Sequence, residues 1–433
     1  MNDQSELHRP KCLVRPRVRP SSPNFSSGPC KKHPGWDISH LSTELLGRSH
    51  RSKSGKQRLS GAIKRSCQLL NIPDDWMVGI VPGSGTGAIE FAIWNLLGQR
   101  DVDVIVSDGF SGYWADDITR IMGQRVMIHT GTGRSFPNTS DVKDENDLVL
   151  VYNGTGNGVC VKDLDWVIEG REGLVIADAA SAAFSMHLDF TKLDAITWSW
   201  QKGLGSEAGQ GMIAFGPRAL KRATSRTAKS PGPKLLNFCK ADGTALYNLF
   251  DGHTISTPSI LALEDLHSAL DWAEGLGGHS NLLRRVQLNY AVVDDWVKKT
   301  PWIEWLANES SRSPVSLCLQ LVLPFERKEA DFLCKSMIEL LQNEGVAYDI
   351  FTMHDAPPGF RIWGGPTVEA DDLWHLVQWL EWAYLVTMQG DFYGSEIAPK
   401  SADIFMTAIE VATNSDRKSL QSTTSGGGGI DHA

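Results

Sequence analysis

Short apolar runs recur along the first half of the chain, at WMVGIV (76–81), VDVIVS (102–107), DLVLVYN (147–153), GLVIAD (173–178) and AITWSW (195–200). They are shorter than a core helix and rich in Val, Ile, Leu or Trp, the composition of strands covered on both faces. Between them lie polar or helix-periodic stretches, such as AIEFAIWNLL after the first run. Buried strands alternating with helices predict an α/β architecture on a largely parallel sheet. The pattern changes from about Pro258. Two long helical stretches follow, SILALEDLHSALDWAEGL and HSNLLRRVQLNYAVVDDWVKKT. Then come a strand (SPVSLCLQLVL), a helix (KEADFLCKSMIELLQNEG), two short strands (YDIF and FRIWG) and a last helix through DDLWHLVQWLEWAYL. With 433 residues the chain can fill two cores. The expected division is a disordered basic arm (1–20), a large domain (21–290), a small α+β domain (291–390) and a flexible tail (391–433).

Composition narrows the class. A net charge of −9 opposes nonspecific contact with nucleic acid. No apolar run reaches the roughly 20 residues that span a bilayer, so neither nucleic acid nor membrane is an expected partner. The seven cysteines are odd in number and include no CxxC pair, which argues against a disulfide framework or a zinc site and for a reducing cytoplasm. The N-terminal HRPKCLVRPRVRP lacks the apolar stretch of a secretory signal.

Several residues sit where an α/β sheet binds ligands. Gly83, Ser84, Gly85, Thr86 and Gly87 join a strand to a helix, so their N–H groups can cradle an anion, or simply close the joint. The run lacks the Lys-Ser/Thr of a P-loop and the full dinucleotide fingerprint. Asp178 ends the GLVIAD strand, at the edge where ligands collect, though it reads equally as a helix N-cap with Ser181 nearby. Lys202 ends the next run, 24 positions on, and can reach the same crevice; most lysines are instead solvated charges. Trp114 in SGYW offers a flat aromatic face or core packing, and Asn153, Gly154 and Thr155 offer polar donors or a turn. Arg361 on FRIW can clamp a carboxylate with two hydrogen bonds. His50 and Arg51, with Arg48 and Lys53, form a basic cluster in GRSHRSKSGK that attracts an anionic substrate or merely faces water. Together these supply what pyridoxal 5'-phosphate (PLP) demands: a lysine, an acid for the ring nitrogen, an aromatic face, a phosphate cradle and a carboxylate clamp.

In order and spacing, RPSSPNFSSGPC, GRSHRSKSGK, SGYW, NGTGNGV, VIADAASA, SWQKGLG, STPSILALED and YDIFTMHDAPPGFRIWGGPTVEADD resemble the segments of the phosphoserine aminotransferases, class V aminotransferases of PLP fold type I. The resemblance runs from about Pro20 to Gln389. It implies a large domain with a mostly parallel sheet of the seven-stranded type and a smaller α+β C-terminal domain. It also implies transfer of the amino group of glutamate to 3-phosphohydroxypyruvate, giving 2-oxoglutarate and O-phosphoserine for serine biosynthesis, with phosphohydroxythreonine in vitamin B6 synthesis as the related product.

By the same resemblance Lys202 matches the cofactor-anchoring lysine, Asp178 the partner of the pyridine nitrogen, Trp114 the ring-stacking aromatic and Thr155 the hydroxyl beside the ring. Gly85, Thr86, Gly87 and Gln201 match the phosphate cradle, completed from the other subunit of a homodimer by a segment matching Ser256 and Thr257. Arg361 matches the holder of the substrate α-carboxylate, and His50, Arg51 and His354 match contacts to the substrate phosphate. Ser256 stands where the family commonly has asparagine, and Thr86 and Asp355 stand where some members carry basic residues. The substrate identity is the part this touches, so a class V transaminase for another small 2-oxo acid or a phosphonate is the alternative reading. A nucleotide-binding protein without catalysis is the remote one.

Overall fold

The structure is a computed structural model that describes residues 14–121, 123, 125–225, 233–240, 242–322, 326–353 and 356–389. Residues 1–13 and 390–433, and with them most of the expected arm and tail, lie outside the described residues.

Seven strands form the larger sheet: β1 (Met77–Pro82), β2 (Val102–Val106), β3 (Val126–Thr130), β4 (Asp147–Val151), β5 (Val175–Asp178), β6 (Ala195–Ser199) and β7 (Gln210–Phe215). Their order is β1-β7-β6-β5-β4-β2-β3. The pairs β2–β3, β2–β4, β4–β5 and β5–β6 are parallel, whereas β7 is antiparallel to both β1 and β6. Two reversals cancel, so β1 runs in the direction of β6, and the segment after it emerges at the same edge as the ends of the parallel strands. That edge is where open α/β sheets bind ligands. The parallel strands β4, β5 and β6 are buried at every residue, as expected with helices on both faces.

The five apolar runs are the cores of β1, β2, β4, β5 and β6. Two strands were not expected from the sequence. The edge strand β3 is half exposed, and β7 has a glycine in its second position. Helices α1 (Lys53–Leu70), α2 (Ser84–Leu96), α3 (Gly109–Ile121), α4 (Pro217–Ser225) and α5 (Ile260–Gly275) accompany this sheet. Ser52 caps α1 by accepting from Gly55 N at 3.1 Å, and Ser259 caps α5 through Ala262 N at 3.2 Å.

Helices α6 (His279–Lys299), α7 (Arg327–Asn343) and α8 (Ala370–Met388) pack with a three-stranded antiparallel sheet of β8 (Ile303–Trp305), β9 (Ser316–Leu321) and β10 (Gly359–Trp363), ordered β10-β9-β8. Along α6, Leu282 belongs to the core of the larger sheet, whereas Val286, Val293 and Trp296 belong to the second core. YDIF makes only isolated bridges, because Asp349 takes a left-handed φ of 58°, which breaks an extended run. Phe25 and Cys30 pack into the second core, and Trp379 donates its indole N–H to Val18 O at 2.8 Å. Among the described residues no helix is long and apolar enough to cross a membrane, and Cys30, Cys67, Cys160, Cys318 and Cys334 are free thiols.

Candidate active site

Four parallel strands and β1 deliver polar residues to one edge of the larger sheet. Asp178, the last residue of the middle strand β5, is registered against Val151 of β4 and Thr197 of β6. No helix follows it: residues 180–185 are turns, so the N-cap reading fails, and Oδ1 instead accepts from the Ala180 amide at 2.9 Å. Oδ2 accepts from the Trp114 indole N–H at 3.3 Å. Burial pushes the Asp178 carboxyl up to about 6, opposed by the Ala180 amide.

Lys202 follows β6. Its Nζ donates to the Ser27 carbonyl and lies 6.0 Å from the centre of the Trp363 ring. Burial moves its amine below the usual lysine range, and the Arg361 cation acts in the same direction. The neighbouring Cys30 thiol is pushed up to about 12 by burial, so it stays neutral and brings no charge to offset them. The loop before Cys30 lies close, since a Cβ on Gly28 would fall 2.6 Å from Nζ.

The glycine turn is shorter than its sequence suggests. Gly83 (φ 89°), the N-cap, and Ser84 (φ 59°) are left-handed, and Ser84 to Gly87 already form the first turn of α2. Gly83 and Ser84 donate to Gly209 O and Gly87 donates to Gly83 O. Among the described residues, the Gly85 and Thr86 amides have no such acceptor. Gln201 donates to Ser84 Oγ at 2.6 Å while its own Oε1 is buried without a partner, as is Ser199 Oγ.

Lys202, Asp178, Trp114, Thr155, Gln201, Gly85 and Thr86 line one cavity of about 250 Å³, joined by Phe110, Asn153, Ser181 and Ser199. Thr155 donates to Ser181 Oγ at 3.1 Å, and Ser181 in turn donates to Asn153 O at 2.8 Å. Gly87 is in the same helical turn but off the lining. Arg361 on β10 is coupled to the cavity through its charge on Lys202, and its Nε is buried without a partner. His50 precedes α1 with its Nε2 buried and unpartnered; burial and the Arg51 charge hold its imidazole below the usual range. Arg51 is exposed, Ser256 is half buried and Thr257 is exposed in the loop before α5, and none of the four lines the cavity. His354 lies outside the described residues. Asp108, Cys30 and the Ser27 carbonyl were not singled out in the sequence. Asp108 carries the same signal as Asp178, an acid just past a strand end.

The donor set fits PLP. Free amides at a helix N-terminus and the orphaned Gln201 and Ser199 oxygens suit a phosphate and its protons. Added side chains would crowd the cradle, as a Cβ on Gly85 would stand 3.2 Å from Ala180 Cβ. A buried carboxylate faces a buried amine across the same cavity.

No family model matches the sequence. The chain is 45% identical over 373 residues to the phosphoserine aminotransferase of Methanosarcina mazei, spanning 86% of this chain and 99% of that relative. Phosphoserine aminotransferase from Bacillus circulans superposes with a TM-score of 0.71 at 17% identity, over 84% of this chain and 99% of that one. The PLP-bound enzyme of Trichomonas vaginalis gives 0.67 at 18% identity, over 83% and 99%. At those identities the two structures bear on fold alone. Fold, cavity and relatives together define a PLP-dependent aminotransferase. The chain belongs to the phosphoserine aminotransferase family.

Proposed function

We propose that this enzyme moves the amino group of glutamate to 3-phosphohydroxypyruvate, with Lys202 as cofactor anchor and Asp178, Trp114, Thr155, Gln201, Gly85, Thr86 and Gly87 as its cradle. The observation that carries the reading is a half-buried lysine and a buried carboxylate sharing one cavity with the N-terminus of α2.

When bound, PLP supplies an electron sink for the pair released as the amino acid's Cα–H bond breaks. Asp178, ionised above about pH 6, holds a proton at the pyridine nitrogen. The Gly85 and Thr86 amides take the phosphate at the positive end of α2. Lys202 Nζ, its pKa lowered by burial and by Arg361, takes the Cα proton and returns it. Arg361 offers its unpartnered guanidinium edge to the α-carboxylate. His50 and Arg51, with His354, are assigned to the phosphate of the substrate.

Because Ser256 and Thr257 lie off the cavity of their own chain, we assign them to the other active site of a homodimer, where Ser256 and Thr257 of the partner subunit close the phosphate cradle. A cytoplasmic location is the reading that the cysteine usage supports.

The test is spectroscopic and kinetic. The purified protein is expected to be yellow, to bleach with glutamate, and to retain the cofactor on Lys202 after borohydride. Its kcat/KM for 3-phosphohydroxypyruvate should exceed that for pyruvate by roughly a hundredfold or more, because groups that pair with the phosphate are left unpaired by the smaller acid. Equal rates would assign the scaffold to an unphosphorylated 2-oxo acid.

A further inference from the structure

Asp108 stands just past β2, and its buried side chain has no part in the chemistry above. Its Oδ1 accepts from both the amide and the hydroxyl of Ser111, each at 3.0 Å, and so fixes the first turn of α3. Ser111 and Trp114 are three residues apart, hence on one face of that helix, and Phe110 on the same turn also lines the cavity. On the other side Asp108 meets the loop after β4, the strand paired with β2. The Thr155 and Phe110 amides both favour its charged form. A Cβ on Gly154 would stand 3.2 Å from Asp108 Cβ, and Asn157 donates to Ser107 O at 2.6 Å. Oδ2 remains buried with no partner. A buried, half-satisfied carboxylate costs stability, and its contacts join the two walls that carry Trp114 and Thr155.

We propose that Asp108 is a positioning residue, a brace that holds the Trp114 wall and the Thr155 wall of the cofactor cavity at one spacing by capping α3 and seating the loop after β4. This rests on the cofactor site proposed above. The brace acts through its acceptor oxygen, so asparagine, which keeps an acceptor for Ser111, should preserve it and alanine should not.

The experiment measures PLP affinity by quenching of protein fluorescence, the circular dichroism of the bound cofactor, and the melting temperature of the protein freed of PLP. Asp108→Ala is expected to weaken PLP binding about tenfold or more and to diminish the induced dichroism. Its cofactor-free melting temperature should stay within a few degrees of the parent, because the costly buried acid is gone. Asp108→Asn is expected to bind within about threefold of the parent. Parent-like affinity and dichroism in Asp108→Ala overturn the proposal, and so does an Asp108→Asn as weak as the alanine variant. If Asp108→Ala does not fold, Ser111→Ala decides: weakened PLP binding supports the brace and unchanged binding overturns it. A parent protein that takes up no PLP would instead sink the cofactor reading itself.

Discussion

The Trp114 indole N–H donates to Asp178 Oδ2 at 3.3 Å, across the cavity that also contains Lys202. The aromatic wall thus does more than present a flat face: it favours the charged form of the carboxyl that burial drives toward neutrality. Trp114→Phe keeps the ring and removes the donor. The Asp178 carboxyl then rises further, and PLP affinity should fall by roughly tenfold to a hundredfold, the worth of one hydrogen bond to a charged group. Titration of PLP uptake against pH should show its acid limb, near pH 6 in the parent, displaced upward in the variant.

Asp178 also sets a stability trend in the cofactor-free protein. Its carboxyl goes from 3.8 to about 6 on folding, so the native state binds the proton more tightly than the unfolded chain. The stability that Asp178 contributes is therefore greatest below about pH 4, falls as pH rises through the window from about 4 to 6, and is level above it. Two pH units correspond to about 3 kcal/mol at most. Asp178→Asn should accordingly be more stable than the parent at pH 8 by roughly 1–3 kcal/mol, with the gap closing at pH 4. Urea unfolding of PLP-free protein at the two pH values measures this.

The sheet was legible where strands are buried on both faces, because β4, β5 and β6 are continuous apolar runs. It was not legible at β3, whose half-exposed edge mixes polar and apolar residues, or at YDIF, where one left-handed backbone angle at Asp349 prevents a strand. Strand ends at one sheet edge converge, yet that position alone did not single out Lys202 or Asp178; they stood out because Trp114, Thr155, Gln201 and Arg361 each filled another role in the same cofactor's chemistry. Asp108 has that same position, yet between Ser107 and Gly109 it reads as a turn residue. Contacts such as Lys202 with the Ser27 carbonyl join segments far apart in sequence, and no local pattern encodes them. Ser256 and Thr257 carry no local sign of a role beyond their own chain.

Lys202 is the amine on which the reading depends. Lys202→Ala should be colourless after desalting and should lose at least roughly 10²–10⁴-fold in kcat, the usual contribution of a positioned proton carrier. Lys202→Arg, which keeps a long basic side chain, should be equally inactive, because a guanidinium gives up no proton near neutral pH. Single-turnover assays with added PLP and glutamate separate this from loss of cofactor.

Gly87 tests the cradle sterically. A Cβ there would stand 2.1 Å from the Pro82 carbonyl, so the joint between β1 and α2 must open. Gly87→Ala should cost roughly 1–3 kcal/mol of stability and weaken both PLP and its competitor inorganic phosphate. Gly85→Ala has Ala180 Cβ at 3.2 Å as its tightest contact and should be milder in the melting experiment.

Arg361 links binding to proton transfer. Its guanidinium lowers the Lys202 amine from β10 of the second sheet, and its Nε is buried without a partner. If it clamps the α-carboxylate, Arg361→Gln removes a charged pair worth roughly 1.5–3 kcal/mol, so KM for glutamate should rise roughly tenfold to a hundredfold. Loss of the cation should also let the Lys202 amine move up toward its ordinary value. More of it is then protonated at neutral pH, and the acid limb that it controls in the pH profile of amine-dependent cofactor loading should shift to higher pH. Initial rates across glutamate concentration and pH read both effects. An unchanged KM would remove Arg361 from the carboxylate site, and an unmoved profile would show that burial alone sets the amine.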